Sequence, residues 1–200
     1  MYTRLLTFTG ISDVEAAVNL MQDKALPVIR SQRGYKGMTA SLDRSTGTMG
    51  VLSIWATAAD REASESALGK TREEARMDLG GGEIKIELFD QRAFEVRRQP
   101  AVGSLLMLTR FEMDPARIDE NLEWFRREIA PQIMGGSGFQ ALRLLINPDS
   151  GEGLSGTVWE DRAALEKSAE AGAARREAGS ARGITFGEIG FREVIFTDMP

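Results

Sequence analysis

The side chains of this chain that could act on a small molecule are carboxylate-bearing, aromatic, basic or hydroxyl-bearing, since its 200 residues include no histidine and no cysteine. Trp159 follows Ser155 and Thr157 at intervals of two residues, which places all three on one side of a strand. An indole offers a flat aromatic wall and one N–H donor, and the hydroxyls offer small hydrogen-bonding groups. We therefore predict that a small hydrophobic or aromatic molecule binds beside Trp159, between the sheet and the helices.

Trp55 holds the matching place in the first half of the chain, where Val51 and Ser53 precede it. Val51 fills space that Ser155 would leave open, so the second half is the better candidate for a pocket. The alternative is that each tryptophan anchors a hydrophobic core at the end of a strand, because aromatic side chains dominate core packing. That alternative is the stronger one for Trp55.

Arginines supply the charge that could stabilise an anion. Arg72 and Arg176 each precede a glutamate within a predicted helix, and either could hold an enolate or a phenolate. The alternative is a solvated helix face with local Glu/Arg pairs. Arg4 and Arg110 fall within predicted strands, where a charge either lines a cavity or lies at a strand end.

The missing histidine and cysteine exclude whole classes of chemistry. There can be no histidine general base, no Ser–His triad, and no histidine or thiolate ligand for haem, zinc or iron. We expect no cofactor and no metal, and in particular no tight binding of haem or zinc. No residue is assigned a catalytic role from the sequence.

Charge and hydropathy limit the kinds of partner and the cell compartment that we expect for this protein. The formal net charge is −5 and no basic stripe occurs, so we expect no nucleic-acid partner. No apolar run is long enough to span a membrane, and residues 1–10 lack the apolar core and cleavage site of a secretory signal. Together with the absence of cysteine, these features predict a cytoplasmic protein without membrane contact.

An internal repeat at a spacing of 104 residues indicates which elements position these side chains. Nine residues recur in one register without a gap: Pro27/Pro131, Ile29/Ile133, Gly34/Gly138, Gly47/Gly151, Trp55/Trp159, Ala59/Ala163, Ala67/Ala171, Arg72/Arg176 and Glu73/Glu177. We interpret the chain as two copies of one unit, at residues 1–96 and 104–200, joined by a linker at residues 97–103. The copies form a pseudo-dimer within one chain, which could assemble further into a homo-oligomer.

Each copy is predicted to follow the order β-α-β-β-α-β, the ferredoxin-like arrangement. The predicted strands of the first copy span about residues 3–9, 34–42, 48–55 and 83–96, and its helices about 12–33 and 60–79. In the second copy, strands are predicted at about 105–111, 154–159 and 185–196 and a helix at about 161–181, with another strand before the turn at 147–151. Ser12 and Glu15 form a capping-box pattern, and Asp114 followed by Pro115 is a typical helix start.

The third strand carries apolar residues on both faces, with Val51 and Trp55 on one side and Leu52 and Ile54 on the other. A four-stranded sheet with both helices on one side would leave its other apolar face bare. The fused second copy is expected to cover that face.

These features resemble the dimeric α/β-barrel superfamily, in particular its antibiotic-biosynthesis-monooxygenase-like branch. The residues that carry the resemblance are Pro27, Gly34 to Gly37, Asp43 to Gly47 and Trp55, and then Pro131, Gly138, Phe139, Asn147 to Gly151, Trp159 and Glu160. The resemblance covers nearly the whole chain as a tandem pair. It implies an α+β fold in which two ferredoxin-like units pack their antiparallel sheets as an intrachain pseudo-dimeric α/β barrel.

The resemblance also implies an activity, a cofactor-independent oxygenation of a small aromatic or polyketide-like substrate. Haem-degrading members have an asparagine on the first strand and a histidine on the second helix, and this sequence has neither. The quinone-forming oxygenases have an asparagine shortly before the tryptophan, where this chain has Val51 and Ser155. The alternatives are a non-catalytic ligand-binding or structural barrel, or a subunit that contacts another protein through its helices.

Overall fold

The computed structural model describes residues 1–80 and 82–199. Its strands are β1 (Tyr2–Phe8), β2 (Tyr35–Asp43), β3 (Thr48–Trp55), β4 (Ile84–Val96), β5 (Leu105–Glu112), β6 (Phe139–Ile146), β7 (Glu152–Trp159) and β8 (Thr185–Asp198). Its α-helices are α1 (Val14–Leu20), α2 (Leu26–Arg30), α3 (Ala58–Ala63), α4 (Glu65–Asp78), α5 (Ile118–Trp124), α6 (Ala130–Met134) and α7 (Arg162–Ser180).

Within this described part of the chain, the eight strands form a closed antiparallel barrel in the order β1-β3-β2-β8-β5-β7-β6-β4. The chain divides into two compact units. The first comprises Met1–Leu88 and Glu193–Pro200, and the second comprises Phe89–Arg192. Thus β4 begins in the first unit and ends in the second, whereas β8 begins in the second and ends in the first.

The first unit packs α1, α2 and α4 against one face of its sheet. Strand β3 lies between β1 and β2, with Trp55 opposite both Tyr2 and Tyr35. The core between sheet and helices includes buried Ala17 and Ile29 from the helices. The end of β8 contributes Ile195 and Phe196 to the same core, so β8 completes the core of the first unit.

The second unit repeats this local arrangement. Strand β7 lies between β5 and β6, and Trp159 lies opposite both Leu105 and Phe139. Its apolar residues form two neighbouring clusters. Leu142 and Leu165 belong to the cluster that contains Trp159, and Ile118 belongs to the other.

A π-helical turn interrupts the first long helix of each unit. In the first unit the Leu26 N–H donates to the Met21 carbonyl, five residues earlier, and in the second the Ala130 N–H donates to Phe125. Proline follows at once in both cases, as Pro27 and Pro131. Because proline has no N–H and its ring crowds the carbonyl four residues earlier, a wider turn accommodates it better than an α-turn.

The helix starts confirm some sequence-based expectations and correct others. Asp114 acts as an N-cap, as predicted, and Asp161 is also an N-cap; each accepts from a backbone N–H. The capping-box prediction for Ser12 is wrong, because the neighbouring Asp13 caps α1 and accepts from the Ala16 N–H at 2.9 Å. The single helix predicted for residues 60–79 is instead two helices that meet at Ser64.

The break at Ser64 has a physical cause in the first strand. Arg4 reaches from β1 and donates to the Arg61 carbonyl and to the Ser64 hydroxyl at 3.1 Å. The Ser64 hydroxyl also donates to the Arg61 carbonyl. A side chain that donates to a helix carbonyl occupies the acceptor of the next backbone hydrogen bond, and this interrupts and bends the helix.

Candidate functional site

Trp159 is a core residue and does not line the cavity of its unit. It is 1% exposed, and its indole N–H donates to the Thr157 hydroxyl at 2.9 Å. The ring of Phe139 packs edge-on against it with centroids 5.7 Å apart. Ligand binding beside Trp159 stays a prediction, and the indole itself orients Thr157 through this hydrogen bond.

Trp55 occupies the equivalent environment in the first unit. It is fully buried, and its indole N–H donates to Ser53 at 3.1 Å. Tyr35 packs edge-on against it, with ring centroids 6.0 Å apart. The core-anchor interpretation of both tryptophans agrees with this packing.

A cavity of about 90 Å³ lies between the sheet and the helices of the second unit. That volume exceeds the roughly 10–15 Å³ that one water molecule requires, so the space can hold a small organic group. The predicted site residues Ser155, Thr157 and Arg176 all line it. The sequence therefore placed three of its second-half candidates at one cavity, although not the tryptophan.

The walls of this cavity are mostly apolar, and they include a tryptophan that sequence reasoning missed. Trp124, on α5, and Phe125, in the π turn, supply aromatic surface. Further apolar side chains come from Met107, Phe111, Met113, Leu122, Ile129, Ile133, Leu144, Ile184 and Phe186. The helical pattern gave no signal for Trp124, because this residue lies off the face that Leu122 and Phe125 share.

Two adjacent arginines give the second-unit cavity a positive charge. Arg175 donates to the Ser168 carbonyl at 2.8 Å, and burial, reinforced by the neighbouring charge of Arg176, lowers the pKa of its guanidinium. Arg176 makes no hydrogen bond or ion pair with any of the residues that the structure describes. Its guanidinium is thus available to a ligand.

The space for Arg176 depends on a glycine in the same helix. A Cβ atom at Gly172 would lie 2.7 Å from Nη1 of Arg176, so any larger residue would push the guanidinium aside. Gly172 is buried and lines the cavity itself. A helix-interior glycine is intrinsically unfavourable, which makes this close approach its evident structural use.

The polar side chains that line the cavity differ in whether they already form hydrogen bonds within the protein. Thr157 accepts from Trp159. Asn121 accepts from Arg182 at 3.2 Å through its side-chain oxygen. Ser155, half-buried on β7, has no hydrogen-bond partner among the described side chains and can bond to a ligand.

The first unit has a corresponding cavity of about 70 Å³ in which the charges are already paired. Arg4 and Arg72 line it together with Ser53 and Val51. Glu65 pairs with both arginines, at 3.2 Å from Arg4 Nη2 and through two hydrogen bonds from Arg72. The Arg72 bond is the main cause of the lowered pKa of the Glu65 carboxyl.

The positions of the predicted strand arginines are thereby settled. Arg4 is 3% exposed and lines the first-unit cavity, where burial is the largest influence and lowers its pKa. Arg110 is half-buried and does not line the second-unit cavity. Of the two alternatives that the sequence left open, Arg4 follows the first and lines a cavity, whereas Arg110 lies within β5 and not at its end. Glu65, which decides the charge of the first cavity, was not singled out, although it lies seven residues before Arg72 and therefore on the same helix face.

Residues 1–80 and 82–199 contain no cluster of carboxylates suited to a metal ion and no helix suited to a membrane. In these residues no three carboxylate side chains lie together in a way that could hold a metal ion. No helix among them combines the length and apolar character needed to cross a bilayer.

Comparison with known proteins shows similarity in sequence to uncharacterised proteins. No family model matches the chain. The uncharacterised protein Rv2557 of Mycobacterium tuberculosis is 24% identical over 168 residues, which cover 84% of this chain and 75% of that protein. A second uncharacterised protein of the same organism, Rv2558, is 21% identical over 134 residues, covering 67% of this chain and 56% of its own length.

Solved structures show the same fold at low sequence identity. A provisionally named monooxygenase from Fusobacterium nucleatum aligns with a TM-score of 0.71 and 11% identity, over 99% of this chain and 94% of that one. An anthrone oxidase-like protein aligns with a TM-score of 0.68 and 15% identity, over 98% and 92%. A heme-binding protein from Thermus thermophilus aligns with a TM-score of 0.57 and 14% identity, over 96% and 90%.

These similarities define the class of fold. The chain has the α+β fold of the dimeric α/β-barrel type, which is shared with monooxygenase-like proteins. Neighbours with one fold carry different functional names, so the fold alone does not give the activity.

Proposed function

We propose that this protein is a cofactor-independent, monooxygenase-like enzyme that acts on a small aromatic or polyketide-like substrate in the cavity of the second unit. The observation that carries the proposal is Arg176, an unpaired guanidinium at the wall of a largely apolar cavity. A cation in such surroundings stabilises negative charge far better than it would in water. The monooxygenase-like names of several proteins with this fold support the same class of reaction.

The chemistry that this site supports is the oxidation of an activated methylene group beside an aromatic ketone. Loss of one proton to water gives an enolate, whose oxygen Arg176 would hold and whose carbon reacts with O₂ to give a peroxide anion that takes up a proton from water. The resulting hydroperoxide loses water and leaves a carbonyl, so one O₂ and the CH₂ group become a C=O group and one H₂O. The substrate supplies all the electrons, and Ser155 offers a hydrogen bond to a substrate oxygen.

The proposal is tested by oxygen uptake with anthrone as the test substrate. We expect one O₂ consumed for each anthraquinone formed, and we expect Arg176→Gln to lower kcat/KM roughly 100-fold, the effect of removing one oxyanion donor. Arg162→Gln, at an exposed position of the same helix, is the matched control and should leave the rate unchanged. Equal rates for the native protein and Arg176→Gln would contradict the proposed role.

A second candidate function is binding without catalysis, in a barrel that carries or senses a small molecule. The observation that favours it is that no carboxylate or tyrosine lines the second-unit cavity among the described residues, so no general base is in place. Under this alternative the test substrate would bind with an Arg176-dependent affinity, while oxygen uptake would stay at the uncatalysed rate.

We further propose that residues 1–96 and 104–200 are two copies of one ferredoxin-like unit, linked by residues 97–103. The matching cavities support this, because their lining residues occupy corresponding positions on strands and helices: Ile29/Ile133, Val51/Ser155, Ser53/Thr157 and Arg72/Arg176. The π turns and the buried tryptophans recur in the same way. Under this proposal, the second copy keeps a cavity with an unpaired arginine, whereas in the first copy Glu65 pairs with the cavity arginines.

A further inference from the structure

The two cavities differ in one carboxylate, and that difference indicates the chemistry of the ligand. In the first unit Glu65 lies seven residues before Arg72 on α4, two helical turns away on the same face. Its two carboxylate oxygens accept from the two terminal nitrogens of Arg72. This is the side-by-side geometry in which guanidinium and carboxylate fit each other best.

In the second unit the residue seven positions before Arg176 is Ala169. Ala169 is half-buried and packs against the core cluster around Trp159. The carboxylate that neutralises Arg72 therefore has no counterpart beside Arg176. The positive charge here is increased, because Arg175 lies where the first unit has Thr71.

The register of the first strands completes the comparison. Arg4 pairs with Ser53 across β1 and β3, and Met107 pairs with Thr157 across β5 and β7. The second cavity thus has an apolar side chain where the first has an arginine, and Gly172, at the position of Leu68, leaves room for the Arg176 guanidinium. The result is an apolar chamber with its cationic groups on the α7 side.

We propose that Arg176 binds the carboxylate of a small organic acid whose apolar or aromatic part fills the second-unit cavity, and that Glu65 in the first unit occupies the place of such a ligand. This inference deepens the proposed function, on which it rests for the location of the site. It names the preferred ligand class as a carboxylic acid, whose carboxylate lies beside Arg176 and Ala169 in the place that the enolate oxygen of a neutral ketone such as anthrone would otherwise take. A neutral molecule of the same shape would leave the Arg176 charge without a partner and would bind less tightly.

The direct test compares benzoate with benzamide, its neutral isostere, by isothermal titration calorimetry at pH 7. We expect benzoate to bind the native protein at least tenfold more tightly than benzamide, with one benzoate per chain. Arg176→Gln should reduce the preference to less than threefold, whereas the control Arg162→Gln should keep it. Equal affinities of the native protein for the two compounds would overturn the inference.

A second test supplies the missing carboxylate from the chain itself. Ala169→Glu should place a carboxylate beside Arg176, as Glu65 stands beside Arg72, and should lower benzoate affinity at least tenfold. Ala169→Gln has nearly the same size without the charge and should retain most of the binding. If both variants lose benzoate equally, the effect is steric, and Glu65 does not stand in for a ligand.

The reciprocal change should open the first unit. Glu65→Ala removes the internal carboxylate from Arg4 and Arg72, and we expect the stoichiometry of benzoate to rise from one to two per chain. Glu65→Gln keeps the packing if the alanine variant does not fold, and it should also gain a second, weaker site. An unchanged stoichiometry in a folded variant would overturn the inference for the first unit.

The outcomes also separate this inference from the proposed reaction. Benzoate has no activated methylene group, so its binding is independent of any oxidation. Charge-selective binding without oxygen uptake would support the carboxylate site and refute the oxygenase. Oxygen uptake with anthrone, without any preference for benzoate over benzamide, would support the oxygenase and refute the carboxylate site.

Discussion

At the scale of single residues, the structure assigns different roles to the three tryptophans of the chain. Trp55 and Trp159 are sealed in the cores, and each donates to the hydroxyl two residues earlier. Trp124 instead lines the second-unit cavity, where the guanidinium of Arg182 lies 5.2 Å from its ring centroid. The aromatic wall expected from Trp159 is thus provided by Trp124.

Substitution of the buried Trp159 and of the cavity-lining Trp124, each by phenylalanine, should affect different properties: the free energy of unfolding in one case and benzoate affinity in the other. Trp159→Phe loses packing and leaves Thr157 without its donor, and we expect the free energy of unfolding to fall by about 1–3 kcal/mol. Benzoate affinity should change less than threefold. Trp124→Phe should show the opposite pattern, with weaker binding and a smaller loss of stability. Urea denaturation and calorimetry measure the two effects, and a binding defect confined to Trp159→Phe would restore the original sequence-based site.

The carboxylate of Asp198 should make the stability of the first unit depend on acidity. Arg30 and Tyr35 both donate to it, the tyrosine hydroxyl at 2.7 Å. The hydrogen bond from Arg30 is the largest influence and lowers the pKa of Asp198 below its usual value. A depressed pKa in the folded state means that the stabilisation is complete above the unfolded pKa of about 3.9 and is lost as the pH falls through the folded value.

Asp198→Asn isolates that contribution from the other carboxylates. We expect the variant to be less stable than the native protein by a constant amount between pH 5 and 7, and the difference to shrink below about pH 4. Urea unfolding at several pH values gives the comparison. A difference that grows on acidification would show that the Asp198 carboxylate is not favoured in the folded state.

At the scale of elements, local sequence was enough to predict the strands and hairpins, whereas it did not predict the interruptions of the helices. The span 48–55 was predicted correctly for β3, because the turn before it ends at Gly47, whose φ of 64° suits glycine. The π turns were not predicted, since their apolar pattern reads as one helix and only the prolines hint at them. The break at Ser64 depends on Arg4, about sixty residues away, which no local pattern contains.

The candidate site shows the same division. Ser155 and Thr157 could be placed together, because alternation along one strand is a local rule. The ion pair of Arg72 and the absence of one at Arg176 could not be predicted in this way, because they depend on Glu65 in one helix and on Ala169 in the other. Charge balance in a cavity is a property of three-dimensional neighbours.

Helix α7 offers a prediction in which stability and binding move in opposite directions. Gly172→Ala should raise the free energy of unfolding by up to about 1 kcal/mol, because alanine is the better helix former. The added methyl group would displace the Arg176 guanidinium and should weaken benzoate binding. Gly179→Ala is an instructive comparison, because its Cβ would instead meet the Phe186 ring at 2.8 Å and should destabilise the unit. Unchanged benzoate affinity in a more stable Gly172→Ala protein would show that Arg176 tolerates the displacement.

At the scale of the whole molecule, the first unit takes residues from both ends of the chain. Glu193–Pro200 belongs to it, and β8 pairs there with β2. A fragment of residues 1–96 would lack Ile195 and Phe196 from its core and Asp198 from its Arg30 and Tyr35 contacts. We expect this fragment to show no cooperative thermal transition by circular dichroism. A fragment that melts like the intact protein would show that the C-terminal strand is dispensable.

The same connection determines the order of events during synthesis. Ribosomes add roughly 5–20 residues per second and release the N-terminal part of a chain first. The first unit emerges early, yet its last strand is completed by Glu193–Pro200, which is translated only after residues Phe89–Arg192 of the second unit. The first unit must therefore wait, incomplete, while the second unit is made, and a premature stop codon within residues 89–192 would damage both units.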